Sequence, residues 1–281
     1  MTAGLSGVVA AKVPGNIGST YRRYRGPVDV DPGARFAALV AADGELPLDE
    51  ACVLIAAHAH PDLVLHEQLE RLDALAAGVA EPSVDALVAH LFGDLGFAGD
   101  RASYHDARNS LLPDVLDRRL GIPITLAVVA IEVGRRCGVG LVGVGMPGHF
   151  LVRDAADPDR FLDVFDGGSP LDPAGCRRLF EALHPGGRWD DAFLRPSPSR
   201  LVLVRILANL AGAQRRSGDR RGLCSTLALR MHLPGATDRE RRELAVVLGA
   251  SGRFVEAADA LDSLGEDRDH AAATRLRARL N

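Results

Sequence analysis

Apolar residues recur at intervals of three and four along residues 48–75, the spacing typical of helices that bury one face. Pro61 interrupts this pattern, which therefore predicts two helices, the second capped by Asp62. A third helix is predicted over residues 84–95. Together these patterns indicate a helical N-terminal region over residues 35–100.

The middle of the chain has a different pattern. Residues 123–137 are apolar on almost every side, which predicts a helix in the centre of a domain, and Pro123 suits its first turn. A helix is also predicted near residues 173–183. Between these two helices, turn residues separate three β-type runs that predict antiparallel strands: 139–146, 149–154 and 160–165.

The last third is helical and contains an internal similarity. Ser217-Gly218 recurs 34 positions later as Ser251-Gly252, and several apolar residues match at the same offset. This offset is the tetratricopeptide period. The alternative is two unrelated helical hairpins of similar length.

Four regions follow from these patterns. The first has glycines, prolines and polar residues without periodicity, so little regular structure is expected there. The regions are an irregular segment (1–34), a helical region (35–100), an α+β core (101–196) and a tetratricopeptide-like helical region (197–281).

Composition excludes several classes of protein. The 281 residues carry a net charge of −4, with 47% hydrophobic and 25% charged residues, as in ordinary globular proteins. This charge balance argues against nucleic acid or an anionic membrane as a partner, and no apolar run approaches the ~20 residues of a membrane helix. With no recognisable signal peptide, the expected location is the cytoplasm.

No cofactor or metal is expected. The four cysteines form no CxxC pair, and no Walker or GxGxxG loop is present. His58, His60 and His66 invite a metal interpretation, but residues i and i+2 point to different sides of a helix, so solvated or packed histidines are favoured.

The most informative chemistry is His149 followed 14 residues later by Asp163. The pattern places the histidine at the start of one strand and the acid on the next. Transglutaminase and papain-type sites are built in this order: a cysteine at a helix N-terminus, a strand histidine that takes its proton, and an acid that orients the imidazole. We expect the two side chains to face each other.

Short motifs surround this pair: Tyr104 with Asp106, Asn109-Ser110-Leu111-Leu112, Val115-Leu116, Arg118-Arg119, Gly121-Ile122-Pro123-Ile124, Gly145, Pro147-Gly148-His149-Phe150, Leu162-Asp163 and Gly167-Gly168. As a set they resemble the bacterial SirB-type transglutaminase-like family. The resemblance covers roughly residues 45–265. It implies an α+β fold with a transglutaminase/papain-like core, in which a central helix packs on a small antiparallel sheet. A helical N-terminal region and C-terminal tetratricopeptide-like hairpins would flank that core.

Two departures from active enzymes concern the site. Their nucleophile lies in a Gly-x-Cys triplet at the helix start, where this chain has Gly-Ile-Pro, so Pro123 occupies the nucleophile position. The resemblance implies that this triplet is a trait of the family. Asp166 stands where relatives usually have a second histidine.

Other residues are candidates for the missing nucleophile. Cys137 is predicted at the wrong end of the central helix, and Cys52, Cys176 and Cys224 read as small buried residues. Thr125 lies in the first helical turn, although a threonine there more often bonds backbone. Ser110 is a further candidate, although capping the next helix is its commoner role.

The site has non-catalytic interpretations as well. His149 either serves a pocket or holds the Pro147-Gly148 turn against the sheet. Arg119 either binds an anion or lies at a solvated helix end. The candidate substrate- or peptide-binding residues are Tyr104, Asn109, Ser110, Arg119 and Asp166.

Three functions remain open. The leading hypothesis is a pseudoenzyme without nucleophilic cysteine that binds a protein or peptide, with the tetratricopeptide pair as a second surface. The rival is an amidase, peptidase or acyl transferase that uses His149 and Asp163 as base, with water or Thr125, on a small amide or acyl substrate or a peptide. The third is a structural subunit that works through its helical tail.

Overall fold

The computed structural model of the chain describes residues 31–280. Its helices are α1 (Pro32–Ala41), α2 (Leu48–Ala57), α3 (Leu65–Ala77), α4 (Val84–Val88), α5 (Leu112–Arg118), α6 (Pro123–Cys137), α7 (Pro173–Leu183), α8 (Ser199–Ser217), α9 (Arg220–Arg230), α10 (Asp238–Ala250), α11 (Phe254–Asp262) and α12 (Asp267–Arg277). Its strands are β1 (Ala98–Gly99), β2 (Leu120–Gly121), β3 (Leu141–Val144), β4 (Leu151–Asp154), β5 (Phe161–Asp163) and β6 (Ser169–Leu171).

Most of the segment predicted to be irregular lies outside the described residues. Its last part differs from the prediction, because α1 begins at Pro32 with the Asp31 carboxylate accepting from the Ala34 amide at 2.8 Å. Two further boundaries differ. Helix α3 begins at Leu65, so Asp62 is not its cap, and the helix predicted over 84–95 continues after α4 as a π-helical turn, Ala89–Asp94.

Helix α6 is the centre of the fold, and its bounds confirm the sequence prediction. Pro123 is its first residue, and Gly138 ends it in a left-handed conformation at φ +82°. The helix is buried along most of its length and contacts α3, β3 and β4. A helix without a solvated face needs cover on every side, which the sheet and the N-terminal helices provide.

The sheet beside α6 has the antiparallel order β3-β4-β5-β6. Val152 and Leu162 face α6, while Leu151 and Phe161 pack with Cys176 on the α7 side. The antiparallel pairing is as predicted. Two features were not predicted: β6 lies beyond the last predicted run, 160–165, and β1 pairs in parallel with β2.

A buried group of charges fastens α2 to α6. The Arg136 guanidinium donates to Asp49 at 2.6 Å and to Glu132 at 2.9 Å. Arg135 also reaches Glu132, at 2.9 Å. Burial and the charge of Asp49 raise the pKa of Glu132, and the two arginines oppose that rise. Buried carboxylates require such partners, so the group fixes where the two helices meet.

The C-terminal helices stack in sequence, α9 on α8, α11 on α10 and α12 on α11. Helix α8 belongs to two cores, since Leu203 and Leu207 pack with the central domain and Ala211 packs with the later helices. Helical hairpins therefore form as predicted, and their classification as tetratricopeptide repeats stays a prediction. Over the range that the structure describes, no helix has the length and apolarity to cross a membrane.

Candidate functional site

The imidazole of His149 and the carboxylate of Asp163 meet, with 2.9 Å between Nε2 and Oδ1. Asp163 is the last residue of β5. His149 does not lie on a strand, as the sequence pattern had suggested, but two residues before β4, the antiparallel neighbour of β5. Their side chains are 10% and 11% exposed. The contact is the expected one, while the roles of the two residues stay predictions.

The contact with Asp163 determines which nitrogen of the His149 ring remains free to accept a hydrogen bond. Asp163 Oδ1 also accepts from the backbone N–H groups of Phe165 at 3.1 Å and Asp166 at 3.3 Å, which holds the carboxylate in place. An ionised carboxylate only accepts hydrogen bonds, so Nε2 donates. Nδ1 is then the acceptor of the neutral ring, as a base or a peptide-binding group requires.

Two side chains from outside the sheet, those of His184 and Arg205, hold the turn that precedes His149. The His184 ring lies 3.1 Å from the Pro147 carbonyl oxygen. Arg205 of α8 donates to the carbonyls of His149 at 2.8 Å and Met146 at 3.3 Å. Gly148, at φ +73°, has the left-handed conformation that favours glycine. Sequence reasoning missed Arg205, because nothing in the helical pattern distinguishes it from other arginines.

At the start of α6 the structure favours the backbone-bonding interpretation of Thr125. Its buried hydroxyl donates to the Asn109 carbonyl at 2.6 Å and accepts from the Ile122 amide at 3.2 Å. A hydroxyl that already gives its proton to a carbonyl is poorly placed to lose it to a base. Together with Pro123, this leaves the first turn without an available nucleophile.

The cysteines are not placed to supply the nucleophile that the first turn of α6 lacks. Burial raises the pKa of Cys176 to about 12, with smaller contributions from Asp172 and Asp163. Burial also raises the pKa values of Cys52 and Cys224. Cys137 ends α6, where its thiol donates to the Gly134 carbonyl. Nucleophilic attack needs a thiolate, and burial disfavours the thiolate of Cys176, Cys52 and Cys224.

Phe165 connects predicted binding residues to the His149–Asp163 pair, which we call the dyad. Its ring packs edge-on against His149, with 6.2 Å between centroids, and against the exposed Tyr104, at 5.8 Å. Arg101 lies over the same ring, 5.0 Å from its centroid, and pairs with Asp166 at 2.7 Å. Tyr104 and Asp166 thus belong to the rim of the site. We call Tyr104, Phe165 and Arg101 the aromatic rim.

Three predicted binding residues have structural contacts instead. The buried Asn109 amide donates to the Ser103 carbonyl and its oxygen accepts from Arg118, both at 2.8 Å. Ser110 is buried and does not cap α5, because Leu111 is the residue before that helix. The Arg119 guanidinium donates to the Leu95 carbonyl at 2.8 Å.

The histidines considered for a metal site do not cluster. His60 bonds the Asp114 carboxylate at 2.6 Å, and the buried Nε2 of His58 has no partner. Within residues 31–280, no group of three or more histidine, cysteine or acidic side chains is arranged to hold a metal ion.

Asp100 links the site to α5 and gives a pH-dependent prediction. Burial alone would raise the pKa of its carboxyl, but hydrogen bonds from the Ser103 amide and Arg118, each 2.8 Å long, lower it overall. A lowered folded-state pKa stabilises the protein above the unfolded value of about 3.9 and ceases to do so as pH falls through the folded value. Asp100→Asn should therefore reduce the free energy of unfolding by about 1–3 kcal/mol at pH 7, and by less at pH 3.

Urea denaturation at pH 7 and pH 3 measures this difference. Asp117→Asn is the matched control, since Asp117 pairs with Arg71 on the surface and its side chain is 67% exposed. A penalty for Asp100→Asn that is equal at both pH values would contradict the prediction.

Comparison with known proteins identifies the superfamily of the chain. A family model described as the transglutaminase-like superfamily matches residues 56–208, more than half of the chain. The chain belongs to the transglutaminase-like superfamily.

Three individual proteins show how much of the sequence is shared. The chain is 40% identical over 212 residues to a UPF0162 protein of Xylella fastidiosa, covering 69% of this chain and 75% of the relative. It is 33% identical over 181 residues to a UPF0162 protein of Pseudomonas aeruginosa, covering 61% and 66%. It is also 32% identical over 144 residues to F-box only protein 21 of Homo sapiens, covering 48% and 22%. No solved structure matches the chain.

Proposed function

We propose that this protein binds a peptide, or an extended segment of another protein, at the site around His149 and Asp163, and that it forms no covalent acyl-enzyme. The observation that carries the proposal is the first turn of α6. Pro123 has no side-chain heteroatom, and the Thr125 hydroxyl is bonded to backbone at 2.6 Å. The oriented imidazole therefore has no nucleophile to activate at the position where related enzymes carry cysteine.

The groups that remain suit peptide recognition. His149 presents Nδ1 as an acceptor for a peptide N–H, and the aromatic rim offers flat apolar faces beside it. Tyrosine at 39% exposure combines an apolar ring with a polar hydroxyl, a residue type enriched in recognition surfaces. Because Asp163 holds the ring, binding loses little side-chain freedom at His149.

The helices from α8 to α12 form the proposed second surface, of tetratricopeptide type. Gly218 and Gly252, 34 positions apart, both have positive φ after a long helix, at +73° and +79°. Equivalent turns at that spacing support a repeated unit. Val246 of α10 is 70% exposed and Leu201 of α8 is 48% exposed, which leaves apolar contacts for a partner.

An amide hydrolase that uses water is the second candidate. The geometry that favours it is the same dyad, since an imidazole held through Nε2 by a carboxylate can take a proton from water at Nδ1. This candidate needs neither Thr125 nor a thiol. It differs from the first in leaving shortened peptides.

One experiment separates the two candidates. Immobilised full-length chain is incubated with a synthetic pool of random dodecapeptides, and mass spectrometry identifies the retained peptides and any fragments. We expect intact peptides to be retained by the wild type and by His66→Ala, an exposed histidine of α3, and to be lost with His149→Ala. Circular dichroism verifies that each variant is folded.

Retention of no peptide by the wild type, or equal retention by folded His149→Ala, would overturn the binding proposal. Fragments made by the wild type and not by His149→Ala would overturn it in favour of the hydrolase.

A further inference from the structure

Arg205 combines a half-buried position with an unusual set of partners. Its guanidinium donates to the carbonyl oxygens of Met146 and His149, and it lies 5.2 Å from the centroid of the Phe150 ring. In the part of the chain that the structure describes, it forms no ion pair with a carboxylate. The backbone that carries the dyad is therefore held by a cation that no carboxylate of the described residues neutralises.

Two other arginines of the domain are paired with buried carboxylates. Arg118 bonds Asp100 at 2.8 Å and Arg136 bonds Asp49 at 2.6 Å. Removing a cation from water without an anion is unfavourable, and burial lowers the pKa of Arg205, with Tyr104 opposing. A ligand that brings a negative charge would remove this imbalance.

Arg205 also keeps donors for such a ligand. A guanidinium has five N–H groups. Three hydrogen bonds to Met146 and His149 leave Nε–H and one Nη1–H without an acceptor among the described residues. Nε has no partner among the described residues and is not fully buried, so solvent reaches it.

The surroundings fix the guanidinium beside the dyad. A Cβ on Gly145 would lie 2.8 Å from Nη1 of Arg205 and 2.7 Å from the Ser197 hydroxyl, so a larger residue there would require one or both side chains to shift. The ionisable side chain that opposes the pKa shift of Arg205 is Tyr104, which belongs to the aromatic rim. Arg205 thus contacts the backbone of His149 and interacts electrostatically with Tyr104 of the rim.

We infer that Arg205 anchors a carboxylate of the bound peptide, either its C-terminal group or the side chain of an aspartate or glutamate. The inference rests on the proposed function and specifies its ligand. The free Nε–H and the free Nη1–H lie on opposite edges of the planar guanidinium, so each can donate one charge-assisted hydrogen bond to a carboxylate oxygen, roughly twice as strong as a bond between neutral groups. The bonds to the His149 and Met146 carbonyls keep that plane at a fixed place beside the imidazole.

Three synthetic pools of random dodecapeptides test this inference. The first has free C-termini, the second has amidated C-termini, and the third has amidated C-termini with asparagine and glutamine replacing aspartate and glutamate. We expect the wild type to retain the first pool at least about tenfold better than the third, as a lost charge-assisted hydrogen bond implies. The second pool identifies the source: retention close to the first indicates a side-chain carboxylate, and retention close to the third indicates the C-terminus.

Matched variants assign the preference to Arg205. Arg205→Gln should abolish it and Arg205→Lys should reduce it, with folding verified by thermal melting. Arg200→Gln is the control, because Arg200 also lies on α8 and donates to backbone carbonyls, those of Val40 and Ala42. It should retain the full preference.

Equal retention of all three pools by the wild type would overturn the carboxylate inference and leave peptide binding intact. A preference that persists in folded Arg205→Gln would also overturn it. Retention of no pool would overturn the proposed function itself.

Discussion

Replacing Asp49 with alanine is expected to lower the free energy of unfolding by about 3–5 kcal/mol. Asp49 is fully buried at the junction of α2 and α6, where it accepts from Arg136 at 2.6 Å and contacts Arg135 at 3.4 Å. Its removal takes a buried carboxylate away from Arg136, whose own side chain is 5% exposed. Urea denaturation monitored by circular dichroism measures the loss.

The same arginine provides the control for this prediction. Asp73 also pairs with Arg136, at 2.7 Å, but its side chain is 56% exposed. Water replaces an exposed partner at little loss, so Asp73→Ala should change the free energy of unfolding by less than about 1 kcal/mol. Similar effects of the two substitutions would show that burial of the carboxylate does not determine how much its ion pair with Arg136 stabilises the fold.

Asp163→Ala is expected to reduce the free energy of unfolding by about 2–4 kcal/mol and to abolish peptide retention. The substitution removes the acceptor for the His149 ring and for the amides of Phe165 and Asp166, and it leaves these donors partly buried. The ring then lacks the bond that selects its tautomer. Thermal denaturation and the peptide-pool assay measure the two effects.

Asp172→Ala tests whether the effect is specific to the dyad. Asp172 caps α7 with a single bond to the Gly175 amide at 2.6 Å, and its side chain is 67% exposed. Loss of such a cap is worth about 1 kcal/mol. If Asp163→Ala is no more disruptive than Asp172→Ala and leaves retention unchanged, the dyad neither stabilises the fold nor binds the peptide.

The centre of the fold could be predicted from the sequence because its signals are local. An almost wholly apolar stretch that begins with Pro123 and ends before Gly138 predicts a buried helix with those bounds, and α6 has them. Turn residues between β-type runs likewise predict antiparallel strands. That pairing places β4 beside β5, and the turn before β4 then brings His149 against Asp163.

The remaining features depend on contacts between distant segments. Strand β6 contains Pro170 and only three residues, so its pairing with β5 leaves little trace in the local pattern. Arg205 lies 56 positions from the carbonyl of His149 that it binds. Thr125 carries a local signal with two meanings, and only the Asn109 carbonyl, 16 positions away, decides between them.

The turn carrying His149 is held by three side chains: Asp163 at the end of β5, His184 directly after α7, and Arg205 of α8. A turn fixed from three directions would be preorganised for the proposed peptide before it binds. Association then needs little rearrangement of the backbone here. Changes in affinity among related partners should accordingly be expressed in how fast complexes dissociate, with association rates varying much less.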